Sequence, residues 1–240
     1  MKIPKIKFYA ISLGWSYGGM MNVEIKATAG SKVSISWGDG RNITHIFHTE
    51  LKKKFEHDYF PKHIIPPVSG ARFLVEISVE SPDCRIIEFY LNNGDMDAIE
   101  LDVTNCPELE LLYYEVCHMW HKPSRSLDLS KNTKLKFLNC RCNDFTSLDL
   151  SNNTALEELI CRSNKLSHLS LQNNSALRKL DCSFNNMKRL FIYYAPELRI
   201  INFEESNNID EATKQHIREI IEENGGRITD SFLSIKCDWD

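Results

Sequence analysis

The chain has 240 residues, of which 42% are hydrophobic and 26% are charged, and its formal net charge is −4. This length accommodates one large domain or two modest ones, and the composition is that of an ordinary globular protein. The slight acidity gives no electrostatic footprint for nucleic acid, and no apolar run approaches the roughly 18 residues of a membrane span, so we expect neither nucleic-acid binding nor membrane insertion.

The first residues, "MKIPKIKFYAISLGWSYGG", place lysines before a short apolar run. That run is too short for the core of a secretion signal, and no small-residue cleavage site follows it. We therefore expect a cytoplasmic protein as the sequence is written, and a cell-surface protein if a signal precedes this N-terminus.

Short alternating runs fill residues 1–83, among them "KIKFYAISL", "MNVEIKATAG" and "RFLVEISVES". Alternation of apolar and polar residues indicates half-buried strands, and Asp39-Gly40 in "SISWGDGRNITHI" indicates a hairpin turn. The turn "WGDG" at 37–40, "HDY" at 57–59 and the strand at 73–79 resemble the PKD-type immunoglobulin-like family. The resemblance implies a β-sandwich over 1–83 that serves as a spacer or adhesion domain; the strand order over 41–72 stays open.

A 21-residue repeat follows, in three clean units: Thr133–Asn153, Thr154–Asn174 and Ser175–Ala195. A longer unit (107–132) precedes them, a looser one spans 86–106, and a fifth begins at 196. Leucines at a fixed period in the twenties predict a solenoid of stacked turns with a parallel sheet over 84–206. The units resemble bacterial leucine-rich repeats that carry cysteine at the last strand position.

The repeat brings Cys140, Cys161 and Cys182 into one column. A metal site, thiol or redox chemistry and core packing are the three candidate roles for this column. Zinc needs four converging ligands and parallel side chains suit a disulfide poorly, so we favour packing, with thiols acting as small buried hydrophobes. Asn143, Asn164 and Asn185 form a second column, which we expect to satisfy backbone groups at the strand ends.

Residues 207–240 are expected to close the far end of the solenoid. "NNIDEATKQHIREIIEENGG" predicts a helix with Asp210 as N-cap and Gly225 at its end, and "RITDSFLSIKCDW" predicts a final strand. Ala212, Ile217, Ile220 and Ile221 form its expected buried stripe. Since solenoid ends need caps, we expect the sandwich to dock at the near end and the helix at the far end.

The outward positions of the strands form the predicted binding surface, because strand residues alternate between the two faces of a sheet. The residues predicted to contact a partner are Tyr113, Phe137, Arg141, Ile160 and Arg162. Aromatics with arginine are typical of interface hot spots. Arg141 and Arg162 should stack as like charges, which favours an acidic partner. The sequence thus predicts a monomeric, non-enzymatic module that binds a protein or peptide and uses no cofactor or metal.

Other residues suggest alternatives. His118 and His121 beside Cys117 could hold zinc. Asp39 could bind calcium or simply form its turn. A third group could ligate a metal or brace the sandwich, namely His57, Asp58 and His63. No nucleophile elbow, phosphate loop or dinucleotide fingerprint occurs in the sequence. A structural or adhesive surface protein is the first alternative function, and a metal-dependent enzyme that uses the His118 region is the second.

Overall fold

The computed structural model describes residues 3–12, 20–59, 72–80, 85–92, 96–116, 126–203 and 207–229. In these ranges the chain is rich in β-structure, with two sheets and one C-terminal α-helix. The elements in chain order are β1 (Lys5–Ser12), β2 (Met20–Ala27), β3 (Lys32–Ser36), β4 (Asn42–Ile46), β5 (Lys53–Asp58), β6 (Arg72–Val79), β7 (Ile86–Asn92), β8 (Met96–Asp102), β9 (Leu111–Glu115), β10 (Phe137–Asn139), β11 (Glu158–Ile160), β12 (Lys179–Asp181), β13 (Ile200–Asn202), α1 (Glu211–Glu223) and β14 (Arg227–Ile228).

The repeats form the predicted solenoid, a leucine-rich stack of about five turns. Strands β9 to β13 pair in parallel, and Phe137 of β10 lies opposite Glu158 of β11, 21 residues later. The middle residue of each short strand is buried, as Leu138, Leu159 and Leu180 illustrate. One turn cannot bury this apolar column alone, so each turn is stabilised by its neighbours.

The solenoid sheet does not end where the repeats begin. Its nine strands follow the order β14-β13-β12-β11-β10-β9-β7-β2-β5. β7 pairs with β9 in parallel, whereas β2 pairs with β7 and β5 in the antiparallel direction. The N-terminal region therefore supplies further strands to the same sheet.

The second sheet has five strands in the order β4-β3-β6-β1-β8. The predicted hairpin is confirmed, since β3 and β4 pair across the turn at 37–41. Gly38 has a φ of +80°, and a Cβ there would lie 2.6 Å from the backbone oxygen of Leu74, so only glycine fits. Residues of both sheets contribute to one continuous hydrophobic core. The division at residue 83 stays a prediction.

Asparagines hold successive turns together, as the repeat predicted. The side-chain amide of Asn164 donates to the carbonyl of Cys161 in its own turn and to that of Cys140 in the preceding turn, each at 2.9 Å. Its oxygen accepts from the backbone nitrogens of Asn143 and Phe145. The equivalent bonds of the other turns are made by Asn143, Asn185 and Asn207. Buried backbone groups that the turns leave unpaired are thereby satisfied.

The helix α1 begins as predicted, with Asp210 accepting a bond from the backbone nitrogen of Thr213. Its buried stripe is narrower than predicted: Ile217 and Ile221 are buried, Ile220 is half-buried, and Ala212 is exposed. β14 then adds to β13 in parallel at the edge of the sheet. Among the described residues no helix has the length and apolar character of a membrane span.

Candidate partner-binding face

We use the name sheet face for the outward side of β7 and β9 to β13. Strand pairing places its side chains in rows that run across the turns. The first row is Glu88, Leu111, Phe137, Glu158, Lys179 and Ile200. The second row is Tyr90, Tyr113, Asn139, Ile160, Asp181 and Asn202. Arg141, Arg162 and Ser183 follow as a third row, because the backbone bonds from Cys142 to Arg162 and from Ser163 to Ser183 keep the same stagger.

Tyr113 lies in an aromatic pair at the N-terminal end of the sheet face. Its ring stacks with that of Tyr90, with 6.2 Å between centroids and 23° between planes. The hydroxyl of Tyr113 donates to Glu115 over 2.5 Å, and Lys52 Nζ lies 4.0 Å from the centre of the Tyr90 ring. These contacts hold both rings in fixed positions at the surface.

Phe137 is more enclosed than expected for a contact residue. Only 8% of it is exposed, because it packs between Leu111 and Glu158 of the adjacent strands. With Leu111 it forms the apolar part of a cavity of about 160 Å³, whose remaining walls are Glu88, Glu110, Lys136, Glu157 and Glu158. Phe137 thus offers a partner the base of a small cavity rather than a protruding ring.

The two arginines have different surroundings. Arg141 Nε lies 2.7 Å from a Glu115 oxygen; burial opposes the charge of Arg141, but the adjacent Glu115 carboxylate raises its pKa overall. The guanidinium of Arg162 lies 5.2 Å from the centre of the Phe184 ring and forms no direct ion pair among the described residues, although its charge acts on the nearby Asp181 carboxyl. The expected repulsion between the two arginines is therefore offset at Arg141 by Glu115, whereas Arg162 has only the more distant Asp181 carboxyl.

Ile160 lies between Asn139 and Asp181 and is half-buried. Asp181 is fully buried although its position is on the outward side. Its Oδ1 accepts from Ser183 Oγ at 2.6 Å, while Oδ2 and both amide atoms of the adjacent Asn202 have no hydrogen-bond partner among the described residues. Burial raises the pKa of the Asp181 carboxyl, against the opposing effects of Ser183 and the nearby arginines.

The cysteine column lies directly beneath the sheet face. Cys140, Cys161 and Cys182 are each completely buried and form no disulfide. Desolvation raises the pKa of Cys140 to about 12 and that of the other two thiols well above their ordinary value. Such thiols are poor nucleophiles, so the column packs as part of the core.

The N-terminal motif residues form a compact cluster of their own. His57 stacks on Trp37 at 4.6 Å, and its Nε2 lies 2.9 Å from Asp39 Oδ2. Asp39 also accepts from the backbone nitrogen and guanidinium of Arg41, and the Tyr59 hydroxyl donates to the Trp37 carbonyl. Burial lowers the pKa of His57 despite the carboxylate beside it. Asp39 and His57 therefore brace the turn through contacts within the chain.

Several candidate residues cannot be placed. Cys117, His118, His121 and His63 lie outside the described residues, so the zinc alternative stays a hypothesis. In the part of the chain that the structure describes, no three metal-binding side chains cluster.

Glu88 and Tyr90 belong to the sheet face but were missed by sequence reasoning. They precede the clean repeats, in a segment that departs from the leucine pattern. The alternation in "IIEFYLN", with Phe89 and Leu91 buried, is the signal that could have placed them on the outward side.

No family model and no curated protein matches the sequence. Among solved structures, a functional domain of InlJ from Listeria monocytogenes, described as including a cysteine ladder, matches at 25% identity over 47% of this chain and 29% of that chain, with a TM-score of 0.35. The chain thus spans less than a third of that structure's length. The assignment of a solenoid rests on this chain's own strand order.

Proposed function

We propose that this protein is a non-enzymatic interaction module that binds a protein or peptide on the sheet face. The observation that carries the proposal is the combination, on one ordered surface, of the Tyr90–Tyr113 pair, the cavity over Phe137 and the unpaired charge of Arg162. Buried aromatic anchors next to arginine are the usual composition of a hot spot. Tyr113, Phe137, Arg141, Ile160 and Arg162 are the proposed contact residues.

The proposed partner carries an acidic group next to an apolar one. The acidic group would pair with Arg162, which forms no direct ion pair in the described part of the chain. The apolar group would enter the cavity above Phe137 and Leu111. Arg141 contributes mainly by holding Glu115 and the Tyr113 hydroxyl in place.

For residues 1–83 we propose a PKD-like sandwich that closes the near end of the solenoid. The two sheets share one core, and the "WGDG" turn is held by Tyr59 and His57, the residues that carry the family resemblance. The exchange of strands with the nine-stranded sheet supports a docked cap rather than a tethered spacer.

The test is a binding comparison of single variants against a captured partner. Arg162→Ala should weaken binding by about tenfold, the scale of a hot-spot residue. Arg218→Ala on α1 is the matched control, since it removes the same charge away from the sheet face. Equal binding by both variants would contradict the proposal.

A further inference from the structure

A second surface of the solenoid carries residues that the repeat pattern does not require. After each strand the chain turns back through a segment whose exposed positions recur every 21 residues. In the first two clean units these positions hold Asp149, Ser151 and Asn152, then Ser170, Gln172 and Asn173. In the third unit they hold Phe191, Tyr193 and Tyr194, which we call the aromatic row.

The aromatic row is exposed to solvent. Phe191, Tyr193 and Tyr194 are 47%, 56% and 50% exposed, whereas the intervening Ile192 is buried in the core. The rings of Phe191 and Tyr193 are close to parallel, 6.0 Å apart at 23°, and His216 of α1 lies 5.4 Å from Tyr193. Three large rings thus occupy positions that are polar in the two preceding units.

A polar cavity is lined by Ser170, Gln172 and Asn173, which hold the same positions one unit before the aromatic row. It has a volume of about 90 Å³ and lies between the first two clean units, lined mainly by Asp149, Ser151, Ser170, Gln172 and Asn173. Asn173 donates to the Ser151 carbonyl, and Asp149 accepts from the Ser151 backbone nitrogen. Ser170 and Gln172 make no hydrogen bond with any described residue, so a hydroxyl and an amide remain available.

From this juxtaposition we infer that the surface binds an oligosaccharide, with one pyranose ring over the near-parallel Phe191 and Tyr193 rings, the perpendicular Tyr194 ring at its edge, and the neighbouring sugar in the polar cavity. The faces of aromatic rings are electron-rich and attract the weakly positive C–H groups on the flat side of a sugar. Sugar hydroxyls both donate and accept, which suits a mixture of hydroxyl, amide and carboxylate groups. Stacked turns at about 4.8 Å per step bring the row and the cavity within reach of adjacent sugar rings.

Other ligands fit these features less well. A peptide anchored by apolar side chains needs an apolar pocket, and this cavity is polar. An anionic membrane would contact the aromatic row and the adjacent Lys188 and Arg189, but it would make no use of the hydrogen-bonding groups in the polar cavity. Binding to an anionic membrane is an outcome of the experiment that follows.

The repeat itself supplies the test variant. Phe191→Ser, Tyr193→Gln and Tyr194→Asn together give the third unit the residues that the second unit carries at the same positions, so the fold should be kept. The full-length protein and this triple variant would be applied to an array of neutral and uronic-acid oligosaccharides. Binding of the best glycan would then be titrated through tyrosine fluorescence, with Gln172→Ala as a second variant and Arg162→Ala as a control on the sheet face.

We expect the wild type to bind at least one glycan and the triple variant to bind it more than tenfold more weakly. Gln172→Ala should also lower the affinity for that glycan, and Arg162→Ala should leave it unchanged. Absence of any glycan binding by the wild type, or equal binding by the triple variant, would overturn the inference. So would the finding that the triple substitution instead abolishes binding to vesicles of anionic phospholipid. Because the sheet-face variant is tested separately, failure here leaves the proposed partner face intact.

Discussion

At the scale of single residues, the cysteine column illustrates how a repeat converts a reactive side chain into a packing element. Cys140, Cys161 and Cys182 are enclosed by the leucines of their own and adjacent turns. Burial without a cationic neighbour disfavours the thiolate, which is the reactive form. The column therefore contributes to the core through the size and low polarity of sulfur.

Cys161→Ser should lower the free energy of unfolding by roughly 1 to 3 kcal/mol, because the hydroxyl enters an apolar column without a partner. Cys161→Val, which keeps the site apolar, should have a much smaller effect. Denaturant unfolding measures both. Rapid labelling of all three thiols in the folded protein would contradict the packing role.

Asp181 is a fully buried carboxyl with only one of its two oxygens hydrogen-bonded among the described residues. The pKa of Asp181 in the folded protein is raised above its ordinary value of 3.8, so the folded state binds this proton more tightly than the unfolded state does. The protonated carboxyl therefore contributes fully to stability below pH 3.8, and this contribution is lost as the pH rises through the folded pKa. Asp181→Asn should be more stable than wild type at neutral pH by on the order of 1 kcal/mol, the scale of one unpaired buried group. Melting curves between about pH 4 and pH 7 should show this advantage growing with pH. An advantage that is constant with pH would exclude Asp181 as the titrating group.

At the scale of elements, the asparagine ladder replaces the backbone pairing that short strands cannot provide. Each strand in the clean repeats has only three residues, so most of each turn lies outside the paired strands. Side-chain amides bridge consecutive turns at the point where the strands end. The ladder fixes the 21-residue spacing that positions the sheet face.

Asn164→Ala should reduce the free energy of unfolding by about 2 kcal/mol or more, since buried carbonyls of Cys140 and Cys161 and two backbone N–H groups lose their partner. Asn152→Ala is the control: it is also an asparagine of the repeat, but it is exposed. Equal stabilities of the two variants, measured by chemical denaturation, would show that the ladder is not a stabilising element.

The sequence predicted the repeat strands, their stagger and the outward rows because each of these follows from a strict period. It did not reveal that β2 and β5 extend the sheet beyond β7, since pairing between distant segments depends on packing rather than on local pattern. The sequence also placed Phe137 on the outward side of the sheet, but it did not predict how deeply this side chain is buried. Its burial depends on residues from the adjacent strands, which the local pattern does not describe. The pairing of Arg141 with Glu115 was missed for the same reason.

At the scale of the whole molecule, the N-terminal region and the solenoid share a sheet and a core. β2 covers the edge of β7, and β1 covers the edge of β8. Exposed strand edges and solenoid ends promote aggregation. The two regions should therefore unfold together.

Removal of residues 1–83 should expose these edges and cause aggregation, and removal of residues 207–240 should do the same at the opposite end. Light scattering and size-exclusion chromatography measure this directly. A solenoid that stays monomeric and melts at the wild-type temperature after the first deletion would show that the N-terminal region does not cap the solenoid.

The central claim, that a partner lies on the sheet face, is tested most directly by photo-crosslinking. Ile160 would be replaced by p-benzoylphenylalanine in the full chain, with the same replacement at the exposed Gln215 of α1 as control. The account predicts that irradiation links a captured partner to position 160 and not to position 215, and that the linked partner peptide contains Asp or Glu beside an apolar residue. Linkage from position 215, with none from position 160, would contradict it.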